Sequence, residues 1–331
     1  MDEFELIRRC FAPLASSPGA DGLRDDVAEI ETTGRVIVTA DTLVEGVHFL
    51  KADPIASLAA KLVRVNVSDI IAKGAAPAGA LLMLTWPKDR PLAAAESFAR
   101  RLGEELDLWG AHLLGGDTTS TAGPLTLSMT LLGECSSRGP VRRSGANPGE
   151  DLWVTGVIGD GWLGLKAALG ELSVSDARDI AALIDAYRIP QPPPLKFAAL
   201  IAAHASAAID VSDGLVADAG HLAAASKAEL IIDWMDVPLG EAARRWLKSS
   251  APDAEIGALL TGGDDYQTLF TAPPAARAAI REESAAIGVR MTRIGRVEAG
   301  EGVSLIDASG SVLILKETGW RHFREPPPQS A

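Results

Sequence analysis

The sequence predicts a two-domain protein of mixed helices and strands, in the α/β (α+β) class, and three observations support this prediction. Its 331 residues exceed the size of a typical single domain. Segments with helical periodicity and β-branched apolar segments follow one another along the chain. A polar, turn-rich stretch at 142–150 places a domain boundary near Pro148. We therefore expect an N-terminal domain over 1–147, a C-terminal domain over 148–325 and a disordered tail over 326–331.

The composition excludes several classes of protein. Hydrophobic residues make up 47% and charged residues 23%, as in globular proteins, and no apolar run approaches the roughly 20 residues of a membrane span. The first residues lack the basic start and apolar stretch of a signal peptide, so a cytoplasmic protein is expected. The net charge of −13 argues against nonspecific nucleic-acid binding. Cys10 and Cys135 lie far apart, which argues against a disulfide framework or a cysteine zinc site.

Residues 36–49 are the stretch around which the first domain is organised. An apolar, β-branched run ends at Thr39, Ala40 and Asp41. A carboxylate just past a buried strand is where enzymes of these classes often place their chemistry, so Asp41 is the first catalytic candidate. An aspartate that only caps a turn is the alternative.

The other elements of the first domain follow from periodicity. Helical spacing covers 3–14, 54–66 and 92–109, and strand patterns cover 80–86 and 125–132. Asp26 lies in a loop, where it is either solvated or a metal ligand. Asn66, Ser68 and Asp69 interrupt an apolar helical face, so they either cap a break in the helix or face a polar site.

Glycine and acidic residues meet at two predicted turns. Gly116 and Asp117 follow a short strand, where glycine lets backbone amides approach a phosphate and aspartate offers oxygen to a metal. An ordinary glycine turn is the alternative. A second such turn, which contains Asp264, precedes a strand at 267–271. At the domain boundary, Arg143 either grips a nucleotide phosphate or is an exposed linker arginine.

The segment 159–164 matches the glycine spacing of a dinucleotide-binding turn and follows a strand-like run at 152–157. A nicotinamide or flavin oxidoreductase is therefore a competing interpretation. That fingerprint also requires an acidic residue about 20 positions on, at the end of a second strand. Here the corresponding region, 175–187, has a helix-like pattern, so this interpretation is not favoured.

Asp210, Ser212 and Asp213 lie between a strand-like run and a helical stretch at 215–226. A helix start there would direct free amides at an anion while the carboxylates hold a metal. A plain helix N-cap explains Asp213 but not Asp210. Further helices are predicted at 195–203 and 274–288, and a further strand near Ile294.

Repetition connects these aspartates. The same local arrangement, an aspartate with small or hydroxyl neighbours at the edge of an apolar segment, recurs at Asp26, Asp41, Asp69, Asp117, Asp210 and Asp213. Carboxylates that meet in one cleft repel one another, so a shared cleft would need cations, and magnesium best matches oxygen ligands. Because the chain has neither a phosphate-binding P-loop motif nor a Gly-x-Ser-x-Gly elbow, the hypothesis is a magnesium-phosphate site built from carboxylates.

Six segments, in this order along the chain, together resemble the thiamine-monophosphate kinases: 39–49, 66–69, 115–119, 143–146, 209–215 and 319–323. The resemblance covers nearly the whole chain. It implies the two-domain fold of the aminoimidazole-ribonucleotide-synthetase superfamily, with mixed sheets flanked by helices. It also implies ATP as co-substrate, several magnesium ions, thiamine diphosphate as product and a homodimer that pairs through the N-terminal domains.

The resemblance assigns roles to individual residues. Magnesium would be held by Asp26, Thr39, Ala40, Asp41, Asp69, Asp117, Asp210 and Asp213, of which Asp41, Asp69, Asp117 and Asp210 are the catalytic candidates. ATP would contact Gly116, Asp117, Arg143 and Ser212, and thiamine monophosphate would contact His48, Asp264 and Trp320. Among the departures from the family pattern, Arg24 replaces a glycine, Ala40 replaces a common threonine and so offers a metal only its carbonyl, and Asp264 replaces a glutamate.

The implied chemistry needs no catalytic base. A phosphate monoester has a second pKa of about 6, so its attacking oxygen is largely ionised at neutral pH. Magnesium would relieve the repulsion between the two anions, and we expect direct in-line transfer without a covalent phosphoenzyme. The runner-up is an aminoimidazole-ribonucleotide synthetase. A non-catalytic nucleotide-binding protein is the third alternative, and lost acidic ligands would have suggested it.

Overall fold

The computed structural model describes residues 5, 7–23, 30–172, 176–249, 252–307, 309–315 and 319, so Asp26, Trp320 and the tail at 326–331 lie outside the described residues.

The first four strands form one mixed sheet. The strands are β1 (Arg35–Val44), β2 (Ala76–Pro87), β3 (His112–Thr121) and β4 (Thr126–Cys135), in the order β1-β4-β2-β3. β2 and β3 are parallel, and the pairs β1–β4 and β2–β4 are antiparallel.

Two long helices, α1 (Ile55–Ala72) and α2 (Leu92–Trp109), cover one face of this sheet. Residues of β4 are alternately buried and half-buried, as expected when only one face of a sheet packs on helices. α2 has the bounds that periodicity predicts, and it ends at Gly110 with a left-handed φ of 68°. α1 is longer than predicted because its polar residues do not break it; Asn66 Nδ2 donates to Leu62 O at 2.9 Å.

The second domain is built on a six-stranded mixed sheet in the order β10-β7-β9-β5-β8-β6. Its strands are β5 (Asp151–Thr155), β6 (Ala207–Val211), β7 (Glu229–Asp233), β8 (Gln267–Ala272), β9 (Met291–Glu298) and β10 (Gly302–Ile306). Its helices are α3 (Asp160–Ala168), α4 (Ala177–Arg188), α5 (Phe197–His204), α6 (Leu215–Ser226), α7 (Glu241–Ser249), α8 (Pro252–Thr261) and α9 (Arg277–Ile287). The prediction of two mixed sheets flanked by helices is confirmed.

Three local predictions are wrong. Asp41 does not lie just past a buried strand, because β1 continues through it to Val44 and is mostly half-buried or exposed. The helical pattern at 3–14 is not one α-helix, because a π-helical turn over Ile7–Phe11 passes into a 3-10 turn, Ala12–Leu14, that contains Pro13. The predicted glycine turn at 115–116 is part of β3, which continues through a bulge opposite Ala80 and Leu81. Gly116 has a φ of 152°, and a Cβ there would lie 1.8 Å from Leu82 O, so glycine permits a close strand approach at this position.

The two domains share a hydrophobic core. One cluster of buried side chains contains Leu62 and Phe98 from the first domain together with Phe197 and Phe270 from the second. α1 lies at the centre of this arrangement, because it contacts the first sheet on one side and β6, β8 and α5 on the other. α1 therefore connects the two domains. Among the described residues, no helix is long and apolar enough to cross a membrane.

Candidate functional site

A cleft of about 650 Å³ lies where the two domains meet, and we call it the larger cleft. It brings together eight of the residues predicted from the sequence: Ala40, Asp41, His48, Asp69, Asp210, Ser212, Asp213 and Asp264. They come from the end of β1, from α1, from the turn after β6 and from the loop before β8. Because these residues come from both domains and line one cleft, they are not aspartates that only cap separate turns.

A second cleft of about 500 Å³, the smaller cleft, lies on the other side of Asp69. Its lining includes Thr39 and three basic side chains, Lys73, Arg142 and Arg143. Asp69 lines both clefts, and its Oδ2 accepts a hydrogen bond from Thr39 Oγ1 at 2.5 Å. The carboxylate of Asp69 is therefore the point at which the two clefts meet.

The aspartates of the larger cleft perturb one another. Burial, and then the charge of Asp69, raise the pKa of Asp41 to about 6. Burial also raises the pKa of Asp210 well above its ordinary value, and Asp69 and Asp218 add to that rise. Ser68 Oγ donates to Asp210 Oδ2 at 3.0 Å, so Ser68, like Asp69, faces a polar site instead of capping a break, whereas Asn66 donates to Leu62 O of its own helix.

The donor set of this cluster fits a hard cation. Carboxylate oxygens of Asp41, Asp69 and Asp210 and the Thr39 hydroxyl oxygen are the ligand type that magnesium prefers. Burial is the larger cause of the raised pKa of Asp41 and the charge of Asp69 is the second, and a bound cation would offset both. The ligand chemistry of these residues therefore fits magnesium, whereas among the described residues the one group of three or more acidic or histidine side chains with ligand atoms within 4.8 Å of one another lies around Asp213.

The turn after β6 is held by a carboxylate that the sequence reading missed. Asp218 Oδ2 accepts hydrogen bonds from Ser212 N and Asp213 N, both at 3.0 Å. Burial, followed by the charge of Asp213, raises the pKa of Asp218 to about 7. Asp213 is not the helix cap, because α6 has Gly214 at its N-cap position and no side chain caps it. Asp213, Asp218 and the exposed His221 lie with ligand atoms within 4.8 Å of one another.

The far end of the larger cleft contains His48 and Asp264. His48 Nδ1 accepts a hydrogen bond from Val44 N at 3.0 Å, so the neutral ring carries its proton on Nε2. Asp264 has a left-handed φ of 72°, and its N–H donates to Ser212 O at 2.9 Å. Its two carboxylate oxygens accept from Tyr266 Oη at 3.2 Å and from Lys61 Nζ at 3.0 Å.

The segment 159–164 does not form a dinucleotide site. The carboxylate of Asp265 already accepts hydrogen bonds from Gly159 N at 2.8 Å and Gly161 N at 3.1 Å. A protein carboxylate therefore occupies the N-terminus of α3, where a pyrophosphate would bind. The region that would need a second strand is a helix, Ala177–Arg188. The structure thus gives no support to the oxidoreductase interpretation.

Two predicted residues lie away from both clefts. Gly116 and Asp117 are on β3, at the opposite edge of the sheet from β1. Asp117 pairs with Met83, which pairs with Ser128, and Ser128 pairs with Thr42. Asp117 therefore shares a sheet face with Thr42, whereas its neighbour Asp41 points to the opposite face. Within one chain, Asp117 does not join the carboxylates of the larger cleft.

The structure adds cleft residues that sequence reasoning missed. Trp162 and Lys166 of α3 and Tyr266 line the larger cleft. Lys61 lies behind it, almost fully buried, with 1% of its surface exposed. A lysine inside an apolar helical pattern was the available signal for Lys61. No local pattern distinguishes Trp162 from an ordinary core tryptophan.

The chain matches two family models, AIR synthase related protein, N-terminal domain, over residues 24–135 and the corresponding C-terminal domain over residues 147–308. It is 40% identical to the thiamine-monophosphate kinase of Caulobacter vibrioides over 97% of this chain and 90% of that protein. The crystal structure of the thiamine-monophosphate kinase of Stenotrophomonas maltophilia matches with a TM-score of 0.78 at 34% identity, over 87% of this chain and 91% of that one. AaThiL complexed with AMPPCP and TMP matches with a TM-score of 0.76 at 33% identity, over 90% and 91% of the two chains.

Proposed function

Because this chain belongs to the thiamine-monophosphate kinase family, we propose that its paired clefts transfer the γ-phosphoryl group of ATP to thiamine monophosphate. The products are thiamine diphosphate and ADP. One observation supports this assignment most strongly: two clefts of ligand size meet at a single carboxylate, Asp69. A phosphoryl transfer between two bound anions requires such a shared wall.

The two clefts differ in charge, and this difference supports one assignment of the substrates. The smaller cleft contains Lys73, Arg142 and Arg143, and basic side chains suit the phosphates of ATP. The larger cleft contains His48 and Asp264 beside the half-buried ring of Trp162, which suits a cationic heterocycle such as that of thiamine. ATP therefore enters from the side of Arg143, and thiamine monophosphate from the side of His48. The relative complexed with AMPPCP and TMP agrees with a site for both ligands.

The chain's own residues bind and orient the reactants. Asp41, Asp69, Asp210 and Asp213, with Thr39 and the Ala40 carbonyl, would hold magnesium, and Asp26 and Asp117 remain predicted ligands. When bound, magnesium supplies charge neutralisation for the two phosphates. Thr39 orients the Asp69 carboxylate and Ser68 orients that of Asp210. Arg143 and Ser212 would bind ATP, and His48, Asp264 and Trp320 would bind the acceptor.

The acceptor oxygen needs no proton removed, because the second pKa of a phosphate monoester is about 6. None of the cleft carboxylates is therefore required as a general base. The transfer is direct and leaves no phosphate on the protein.

We also propose a homodimer that forms through the first sheet. The face of this sheet that the helices do not cover carries the exposed side chains of Val36 and Val38 on β1. Thr42 and Asp117 lie on the same face. A second copy packed there would bury the valines and could bring its own Asp117 towards the cleft that lacks this carboxylate. The domain boundary near Pro148 and a cytoplasmic location also stay predictions.

The test follows the labelled γ-phosphoryl group. Purified protein is incubated with γ-labelled ATP, magnesium and thiamine monophosphate, and the products are separated after an acid quench. The proposal predicts that the label appears in thiamine diphosphate, with one ADP for each molecule formed. Label released as inorganic phosphate would overturn the kinase assignment, and label retained on the protein would overturn direct transfer.

A further inference from the structure

We propose that Lys61 is a positioning residue for the acceptor end of the larger cleft, where it fixes Asp264 and the turn that carries His48. The inference rests on the proposed function, because it assigns this end of the cleft to thiamine monophosphate. It goes beyond that function in identifying a residue that touches neither substrate and still sets acceptor affinity.

Every hydrogen of the Lys61 ammonium group has a partner. Nζ lies 3.0 Å from Asp264 Oδ2, 3.2 Å from His48 O and 4.0 Å from the centroid of the Tyr187 ring. Because an ammonium group has three N–H bonds, these contacts satisfy it completely. Lys61 therefore has no free donor for the reaction, and it acts through the residues that it holds.

Lys61 belongs to a helix that packs against elements of both domains. It lies in the middle of α1, whose residues are buried on nearly every side between the two sheets. A buried ammonium group is costly unless it is paired, so the Lys61–Asp264 contact is obligatory in the folded protein. The contact ties a loop of the second domain to a helix of the first.

Lys61 contacts a loop whose backbone conformation is unusual and has to be stabilised by its surroundings. Asp264 adopts a left-handed backbone conformation, with φ of 72°, which is uncommon for residues other than glycine. Tyr266, two residues later, is also left-handed, with φ of 51°, and donates to the other Asp264 oxygen. Lys61 holds one oxygen of the Asp264 carboxylate and Tyr266 holds the other. The orientation of the carboxylate is therefore fixed, and so is the direction in which its remaining lone pairs point. The His48 carbonyl, held by the same Nζ, fixes the opposite wall.

Neutralisation is the second consequence of this contact. The Lys61 ammonium lies 3.0 Å from the Asp264 carboxylate and compensates its charge in a cleft that Asp210 and Asp41 also line. Acceptor binding should therefore depend on the Lys61–Asp264 pair as a unit.

The test is a double-mutant cycle read by binding. The dissociation constants of thiamine monophosphate and of ATP are measured separately by calorimetry for Lys61→Met, Asp264→Asn and the double variant. We expect Lys61→Met to weaken acceptor binding by about tenfold to a hundredfold, the usual effect of losing a hydrogen bond to a charged group, and to leave ATP binding within about twofold. In the Asp264→Asn background, Lys61→Met should have little further effect.

Lys73 provides a matched control. It is also a largely buried lysine, adjacent to the C-terminal end of α1, but its Nζ donates to Ala208 O at 2.6 Å and it lines the smaller cleft. Lys73→Met should weaken the binding of ATP and not that of thiamine monophosphate. Equal loss of both ligands in Lys61→Met, or additive effects in the double variant, would overturn the proposal.

A conservative variant covers the case in which Lys61→Met does not fold. Lys61→Arg keeps the positive charge. It should alter the affinity for thiamine monophosphate in the wild-type background and leave it unchanged in the Asp264→Asn background. Equal effects in both backgrounds would refute the Lys61–Asp264 pairing. The wild-type protein separates the two hypotheses. Absence of thiamine diphosphate synthesis by the wild type contradicts the proposed function, whereas synthesis with unaltered acceptor binding in the Lys61 variants contradicts only this inference.

Discussion

Replacing Asp69 with asparagine should stabilise the metal-free protein while abolishing activity. Asp69 lies where the two clefts meet, and its charge raises the pKa of both Asp41 and Asp210. Asparagine has nearly the same shape, and its Oδ1 can still accept the hydrogen bond from Thr39. The substitution therefore removes one negative charge with little change in packing.

The structure sets the size of the effect. The pKa of Asp41 rises from 3.8 to about 6, with burial as the larger cause and Asp69 as the next. At about 1.4 kcal/mol per pKa unit, the whole shift corresponds to about 3 kcal/mol, and less than half of it belongs to Asp69. Without metal at pH 8, above the raised pKa of Asp41, Asp69→Asn should raise the free energy of unfolding by about 1 kcal/mol.

Chemical unfolding followed by tryptophan fluorescence, in chelator and in magnesium, measures this effect. Magnesium at 100 times its dissociation constant should stabilise the wild type by about 2.7 kcal/mol, and Asp69→Asn much less. Asp107→Asn, on the exposed side of α2, is the control and should change neither value. If Asp69→Asn were less stable than the wild type in chelator, and magnesium still stabilised it fully, the shared cation site would be refuted.

Three further predictions concern stability, pH and assembly. Asp265→Ala leaves Gly159 N and Gly161 N without an acceptor, and calorimetry should find the protein destabilised by about 2 kcal/mol; an unchanged melting temperature would contradict this role. Burial raises the pKa of Asp160 from 3.8 to about 6, so the folded state binds more protons, and its unfolding free energy should fall by up to about 3 kcal/mol as pH rises from 4 to 7. Asp160→Asn should flatten that fall, and an identical pH profile would count against it. Val38, 60% exposed on the open sheet face, should be needed for assembly, so light scattering should find Val38→Asp monomeric and the wild type dimeric; a monomeric wild type excludes the proposed dimer.

Local pattern predicted the elements whose signals are complete within a short segment. α2 has the predicted bounds because its helical periodicity is followed by Gly110, which ends the helix in a left-handed conformation. α6 also has the predicted bounds, although it ends at Lys227, whose left-handed conformation has no signal in the sequence. The prediction of a turn at 115–116 was wrong because two adjacent glycines are compatible both with a turn and with a bulge inside a strand. The local sequence does not distinguish these two structures.

The candidate site was predictable to the extent that its residues repeat one local arrangement. The aspartates share such an arrangement, and five of the six lie among the described residues. Lys61 could not be found in this way, because its partner Asp264 is 203 positions away. The sequence also left open whether Ser68 caps a break in the helix or faces a polar site. The hydrogen bond that decides this question is made to Asp210, which is 142 positions away. Contacts between distant segments form only when the domains pack.

A carboxylate-magnesium site in the larger cleft is tested by the formation of thiamine diphosphate by the wild type and by Asp41→Asn, each with and without magnesium. Asp41 lies in the larger cleft beside Asp69, and asparagine removes its charge without changing its size. The account predicts stoichiometric ADP and thiamine diphosphate from the wild type with magnesium, and neither product in the other three reactions. Undiminished synthesis by Asp41→Asn, or synthesis by the wild type in chelator, would contradict a carboxylate-magnesium site at this cleft.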